Sequence, residues 1–213
     1  MRISELARRS NTPLATVKFY LREGLLPAGA RTSATQALYN ESHVWRLRVV
    51  RVLVDYAGLS LAQVRQVLNA LEDDEIAAAA AKAHASLAPD APEVDTAAAV
   101  DLLTELGWLH HSGSGAVAQL AQGLDAVSSL GLSMPEELLV AYAQAARDVA
   151  EADVHLLPTP PPHDAVTRVV LGTVLFEPIL LALRRCAQVD VSSRAWPDSA
   201  GESARPQSHA GDA

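Results

Sequence analysis

Two short amphipathic segments separated by a tight turn constrain the fold of this chain more than any other feature. The first, at residues 3–7, places its apolar side chains on one face of a predicted helix. The second covers residues 12–26, and only the turn at residues 10–12 lies between them. Two short helices joined in this way form a helix-turn-helix, whose second helix commonly enters a DNA groove.

The second segment has one apolar stripe and one outward face. Leu14, Val17 and Leu21 recur at i, i+3 and i+7, which predicts that they are buried. Thr12 is expected to cap this helix, and Gly24 is expected to end it. The outward face then carries Ala15, Lys18, Phe19 and Arg22. Two cations and an aromatic ring beside a small residue suit insertion into a DNA groove, although most faces of this kind are merely solvated.

Two further helices and a small connecting structure follow. Residues 27–38 are rich in Gly, Ala, Ser and Thr and predict either a loop or a small two-stranded wing. Asn40 or Ser42 can cap the third helix, and Ser60 with Gln63 has the spacing of a capping box at the start of the fourth. The predicted inner stripes are Val44, Leu47, Val50 and Val54 in the third helix and Val64, Val67, Leu68 and Leu71 in the fourth, with Arg46, Arg48 and Arg51 largely outside them.

Residues 1 to about 71 resemble the winged helix-turn-helix domain of the MerR family of bacterial transcription regulators. The resemblance lies in the order and spacing of several short pieces, which are residues 1–7, 16–20, 24–27, 46–48 and 58–61, with Arg31 and Tyr39 in the wing. Two departures stand out. Lys18-Phe19-Tyr20-Leu21 replaces the family's usual Arg-Tyr-Tyr and acid, and Ala37 stands where the wing commonly has an arginine. The second departure removes one expected phosphate contact.

The resemblance implies a DNA-binding role for defined residues. Thr16, Lys18 and Tyr20 would face the major groove or its flanking phosphates, while Arg31 and Tyr39 would hold the backbone from the wing. It also implies a mechanism in which promoter DNA is distorted so that RNA polymerase engages both promoter elements. The full predicted DNA-binding set is Ala15, Thr16, Lys18, Phe19, Tyr20, Arg22, Arg31 and Tyr39.

Charge divides the chain in the same place. The whole chain has a formal net charge of -8, which by itself argues against a nucleic-acid partner. Residues 1–70, however, contain ten Lys or Arg and four acids, a net of +6, and the remainder contains seven and 21, a net of -14. A basic head and an acidic body suit a protein of which one domain approaches DNA and the other stays away from it.

The body is predicted to be helical throughout, so that the fold class is mainly α. Residues 72–93 form a connector, in which Ile76, Ala80, Ala83 and Leu87 have the spacing of a short coiled-coil seam, although a simple helical connector explains them equally well. Helices are expected over residues 94–110, 116–131, 135–157 and 163–189 of an effector or dimerisation domain that spans residues 94–190. Residues 191–213 have the composition of a disordered tail.

No catalytic or metal site is predicted. His110, His111, His155 and His163 lack helical metal-ligand spacing, and Cys186 is the only cysteine. The N-terminus has no apolar leader, and the apolar run at residues 169–183 is interrupted and too short to span a bilayer, so a cytoplasmic protein without membrane contact is expected.

The sequence therefore predicts a homodimeric, sequence-specific transcription regulator that needs no cofactor and binds double-stranded promoter DNA. A small-molecule effector is expected between the C-terminal helices, where Trp108, Tyr142 and Glu177 could orient it, unless those helices form a packed dimerisation bundle without a cavity. Two alternatives are a module that sequesters a ligand and an architectural DNA-binding protein without an effector.

Overall fold

The computed structural model describes residues 1–33, 36–87, 94–110, 113–155 and 164–196. Its elements follow in the order α1 (Ile3–Arg9), α2 (Leu14–Arg22), β1 (Ala30–Arg31), β2 (Ala37–Leu38), α3 (Glu41–Asp55), α4 (Leu61–Ala70), α5 (Ile76–Leu87), α6 (Ala97–Glu105), α7 (Gly115–Ser129), α8 (Glu136–His155) and α9 (Ala165–Ala195). The predicted fold class is confirmed, because helices dominate and a small hairpin lies between α2 and α3.

Capping boxes begin α3 and α4. The Ser60 hydroxyl accepts a hydrogen bond from the backbone N–H of Gln63 at 3.3 Å, and the Gln63 side-chain oxygen accepts one from the backbone N–H of Ser60 at 3.0 Å. Asn40, rather than Ser42, caps α3 and forms the same reciprocal pair with His43. These caps satisfy backbone donors that the first helical turn leaves without partners.

The first four helices share one hydrophobic core. Leu6, Val17, Leu47 and Val64 are all fully buried in it. The predicted stripe of α2 was wrong at Leu14, which is 40% exposed, because the helix turns Val17 and Tyr20 inward instead. Gly24, with φ of +72°, ends the helix as predicted.

The hairpin is the predicted wing rather than an open loop. Its strands pair antiparallel, with Ala30 opposite Leu38 and Arg31 opposite Ala37. Directly after β2, the backbone N–H of Tyr39 donates to the Met1 carbonyl at 2.8 Å. The start of the chain therefore lies against the base of the wing.

α5 packs on α4 within the same chain. Its Ala79, Ala83 and Ser86 are buried, and the Gln63 side-chain amide donates to the Ser86 carbonyl at 3.0 Å. Of the residues in the predicted seam, Ala83 is already buried within the chain, which favours the alternative of a helical connector at this position. The end of the predicted connector, residues 88–93, lies outside the described residues.

The C-terminal helices do not form the expected four-helix core within the described part of one chain. α6 and α7 share a small cluster built on Ala99, Val117 and Ala121, whereas α8 has no buried side chain. The first part of α9 buries Val170 and Val174 in the main core.

The chain divides into two compact units, Met1–Leu175 and Phe176–Ala213. α9 continues to Ala195, beyond the point where the disordered tail was predicted to begin. It has 31 residues and an 18-residue window of mean hydropathy 1.9, so by length and composition alone it could cross a membrane. The prediction that this apolar region is too short to span was therefore wrong. Core helices of soluble proteins pass the same test.

Candidate nucleic-acid interface

The turn between α1 and α2 is compact and closely hydrogen-bonded. Thr12 donates its backbone N–H to the Ala7 carbonyl at 2.9 Å, and the Ser10 hydroxyl donates to the Leu6 carbonyl at 2.8 Å. Asn11 adopts a left-handed conformation with φ of 51°, which asparagine tolerates better than most residues. The predicted capping role of Thr12 was wrong, because its buried hydroxyl donates back to the Ser10 carbonyl at 3.2 Å.

Arginines of α3 clamp this turn. Arg48 donates to the Arg9 carbonyl at 3.3 Å, and Arg51 donates to the Asn11 carbonyl while pairing with Asp55 at 3.2 Å. A planar guanidinium has several fixed donors and can satisfy a carbonyl and a carboxylate together. The sequence placed both arginines outside the apolar stripe but did not reveal their partners. Both arginines position the helix-turn-helix. Their i, i+3 spacing, which puts them on one face of α3, was the only feature of the sequence that pointed to a shared role.

α2 presents a continuous outward face. Ala15, Lys18 and Arg22 are exposed, and Phe19 is half-buried. The Arg22 guanidinium carbon lies 5.3 Å from the centre of the Phe19 ring, within the range of a cation–π contact. These four predicted residues therefore lie together and can approach a flat or grooved partner.

Tyr20 and Tyr39 belong to the core, with only 6% and 8% exposure. Tyr20 lies on the inner side of α2, while the Tyr39 ring meets the edge of His43 with 5.2 Å between ring centres. Burial raises the pKa of Tyr20; Asp55 adds to the rise and Arg51 opposes it. The prediction that these side chains face DNA needs correction, because their rings are used for packing and little of either side chain is accessible.

Thr16 lies beside an open groove rather than at the centre of the outward face. The groove has a volume of about 450 Å³ and is lined by Ala15, Thr16, Phe19, Tyr20, Val54 and Leu61. Its walls come from α2, the end of α3 and the start of α4. The groove borders the outward face of α2 along Ala15 and Phe19.

Most cations of the basic head already have partners within the chain. Arg46, for example, donates to the Leu25 carbonyl at 2.8 Å and pairs with Glu72 at 3.1 Å. Among the residues that the structure describes, Lys18, Arg31 and Arg2 have no side-chain hydrogen bond or ion pair. Arg2 follows Met1, whose backbone is hydrogen-bonded to Tyr39 at the base of the wing. Arg2 was not among the predicted DNA-binding residues. These three cations without a side-chain partner thus lie on α2, on the wing and at the residue that precedes α1.

The predicted effector residues lie in different local surroundings. The Arg147 guanidinium carbon lies 5.2 Å from the centre of the Trp108 ring, so one face of this ring is already covered. Tyr142 is 41% exposed on α8. Glu177 is exposed in the second compact unit.

A clamped helix-turn-helix, a short wing and a basic outward helix define a DNA-binding transcription regulator. Residues 1–71 match the family model described as MerR HTH family regulatory protein. A solved structure, the putative transcriptional regulator SCO5550 of Streptomyces coelicolor A3(2), is 32% identical over 91% of this chain and 97% of that one, with a TM-score of 0.61. The chain belongs to the MerR family of transcription regulators.

Two curated relatives match about a third of the chain. The HTH-type transcriptional regulator ZntR homolog of Haemophilus influenzae is 32% identical over 69 residues, which cover 32% of this chain and 50% of that protein. The HTH-type transcriptional regulator YfmP of Bacillus subtilis is likewise 32% identical over 69 residues, covering 49% of its length. The chain thus spans about half the length of these relatives.

Proposed function

We propose that this protein is a cytoplasmic, homodimeric regulator that places α2 in the major groove of promoter DNA. The observation that carries the proposal is the outward face of α2, where Lys18 is exposed and has no partner among the described residues. Base edges are read by side chains that reach into the groove, whereas phosphate contacts set the register. Ala15, Lys18, Phe19 and Arg22 are the proposed contacts from α2, with Thr16 at their edge.

The wing and the residue before α1 supply the proposed phosphate contacts. Arg31 is in β1, and Arg2 is adjacent to the backbone pair between Met1 and Tyr39. Each neutralised phosphate releases counterions, so every such contact makes DNA binding more sensitive to salt. Two heads carried on a two-fold dimer would read half-sites about one helical turn apart, which implies a palindromic operator.

Lys18→Ala tests this assignment, with Lys82→Ala as its matched control. Lys82 lies on α5 and pairs with Asp73 at 2.6 Å, so its removal changes the net charge equally without touching the proposed interface. Affinity is measured by fluorescence anisotropy at several salt concentrations on DNA selected from a random library by the wild-type protein.

Loss of a phosphate contact lowers affinity on all DNA sequences and reduces the slope of log affinity against log salt concentration by about one. Loss of a base contact instead reduces the discrimination between bases at one operator position by ~1–3 kcal/mol. Lys82→Ala is expected to match wild type. If Lys18→Ala also retains wild-type affinity and salt dependence, the proposed role of α2 is wrong.

We further propose that the C-terminal helices receive a small-molecule signal and pass it to RNA polymerase at the promoter. Support comes from the many apolar side chains that α8 and α9 leave exposed, including Leu138 at 40% and Leu183 at 62%. A ligand changes the output only if it binds the two DNA-binding states with different affinity. Trp108 and Tyr142 remain the proposed ligand contacts of the first compact unit.

Trp108 fluorescence provides the test, in a variant in which Trp45 and Trp196 are replaced by Phe. Metabolites that change the emission are then assayed for an effect on operator affinity and on transcription. Compounds that bind without changing either output would favour sequestration over regulation.

A further inference from the structure

The open groove beside α2 offers a surface made almost entirely of carbon. We call it the α2 groove, and its lining residues are Ala15, Thr16, Phe19, Tyr20, Val54 and Leu61. Its polar side-chain atoms are two hydroxyl groups, and the one on Tyr20 belongs to a side chain that is only 6% exposed. Ala15 is exposed and the other four residues are half-buried, so their carbon atoms are accessible to a partner.

The α2 groove and the cations of α2 lie on opposite flanks of the same helix face. Lys18 precedes Phe19 by one position, which places it about 100° to one side, and Thr16 follows Ala15 by one position, about 100° to the other side. Ala15 and Phe19 lie between the two flanks and also line the groove. The face therefore suits a polyanion that carries an apolar group beside its charges.

In the major groove of DNA, that description fits one group. The base edges present ring nitrogens, carbonyl oxygens and amino groups, and the C5-methyl of thymine is the only apolar group among them. An apolar wall held against a polar base edge would remove water without replacing its hydrogen bonds, which costs free energy. Against a methyl group the same wall gains free energy by burial.

We propose that the α2 groove reads thymine through its C5-methyl group and so sets part of the operator sequence. This inference rests on the proposed insertion of α2 into the major groove and names the base that its apolar flank selects. Ala15, the Thr16 methyl and the edge of the Phe19 ring are the contacts. The volume of about 450 Å³ leaves room for the methyl group and the adjoining C5–C6 edge of the pyrimidine.

The two flanks then have separate tasks. Lys18 attracts phosphates or the acceptor atoms of guanine, whereas the α2 groove disfavours cytosine, whose amino group would lose its hydrogen bonds to water there. Asp55 follows Val54 at the groove, and its carboxylate pairs with Arg51 at 3.2 Å, so its negative charge is offset on the side that approaches DNA.

The first test changes the DNA and leaves the protein intact. In an operator selected by the wild-type protein from a random library, each thymine is replaced singly by deoxyuridine, which removes the methyl group and keeps the base pair. At one or two positions of each half-site, affinity in fluorescence anisotropy should fall about fourfold, the value of one buried methyl group. Cytosine at the same positions should bind more weakly still, and 5-methylcytosine should recover about fourfold of that loss.

The second test asks whether the α2 groove is the reader. Phe19→Ala should bring the ratio of thymine to deoxyuridine affinity close to one. Because the Phe19 ring also packs against the core, circular dichroism checks the fold of this variant. Thr16→Ser is a milder variant that removes one methyl group, keeps the hydroxyl and should lower the ratio about twofold. Thr104→Ser makes the same change at an exposed residue of α6 and should keep the wild-type ratio.

Each outcome separates the inference from the proposed function. A specifically bound operator in which no deoxyuridine changes affinity overturns thymine reading, while the proposed DNA-binding role of α2 stands. A fourfold effect that persists in both groove variants shows that the methyl group acts elsewhere, through DNA shape or another residue, and also overturns the inference. Equal weakening of both operators by Phe19→Ala and Thr16→Ser would place deoxyribose carbons in the groove instead. A wild-type protein that selects no DNA sequence would overturn the proposed function itself.

Discussion

Replacing Gly29 by alanine should disturb the wing by a local clash. A Cβ atom at this position would lie 2.7 Å from the Leu38 carbonyl oxygen and 3.0 and 3.1 Å from two carbons of the Tyr39 ring. The oxygen is part of the backbone of β2 and cannot rotate away, and Tyr39 is buried against His43. Overpacking of this kind costs about 1–3 kcal/mol. We therefore expect Gly29→Ala to lower the free energy of unfolding by that amount.

Gly123 provides a control with the opposite expected sign. It lies inside α7, and an added Cβ atom there would meet nothing within 4 Å. Alanine is favoured over glycine in a helix interior by roughly 0.5–1 kcal/mol, so Gly123→Ala should stabilise the protein. Chemical denaturation monitored by circular dichroism measures both changes under identical conditions.

The wing clash should also affect DNA binding. Arg31 is in β1, two residues after Gly29, so a shift of the strand displaces the proposed phosphate contact. Operator affinity should fall for Gly29→Ala and stay unchanged for Gly123→Ala. Equal unfolding free energies for wild type and Gly29→Ala would refute the structural reasoning, since the short distance to a backbone atom leaves no easy relaxation.

Three other perturbations test the packing of the head. Arg51→Gln should destabilise the protein by about 1 kcal/mol and weaken operator binding, because the Asn11 carbonyl loses a charged donor at the turn; denaturation and anisotropy measure the two effects. Burial, with Arg46 and the N-terminus, lowers the pKa of His43 from its usual 6.5, against an opposing backbone hydrogen bond. The folded protein therefore favours the neutral ring. The free energy of unfolding that this preference contributes is complete above pH 6.5 and is lost as the pH falls. We therefore expect His43→Gln to flatten the decline in denaturation midpoint between pH 7 and pH 5. Ala83→Leu should cost about 1–3 kcal/mol, whereas a larger side chain at a free coiled-coil seam would strengthen dimerisation in sedimentation.

The starts of α3 and α4 could be predicted because their causes are local. Ser60 and Gln63 are three residues apart, and the capping box they form needs nothing from the rest of the chain. Asn40 caps α3 through its own side chain, and Gly24 ends α2 through its left-handed backbone, so both causes are equally local. The outward face of α2 was also predictable, because helical spacing alone places Lys18 and Arg22 on the side away from Val17.

Spacing alone could not identify what each face would meet. Leu14 has the spacing of a core residue and lies at the surface, while Tyr20 and Tyr39 were expected at DNA and pack inside. Hydrophobic periodicity defines the direction of a side chain around its own helix, but burial depends on which other element covers it.

The sequence by itself determined the helix-turn-helix, the caps of α3 and α4 and the basic character of this part, since short-range hydrogen bonds, helical periodicity and charge are properties of neighbouring residues. Only the tertiary structure decided that Arg48 and Arg51 hold the turn, that α5 covers α4, and that residues 179–195 stay exposed. The physical reason is that these outcomes depend on contacts between residues far apart in the chain. A carbonyl that lies 39 or 40 positions away accepts a hydrogen bond from an arginine as well as a nearby carbonyl does. The residues around each arginine therefore do not identify which carbonyl will be its partner.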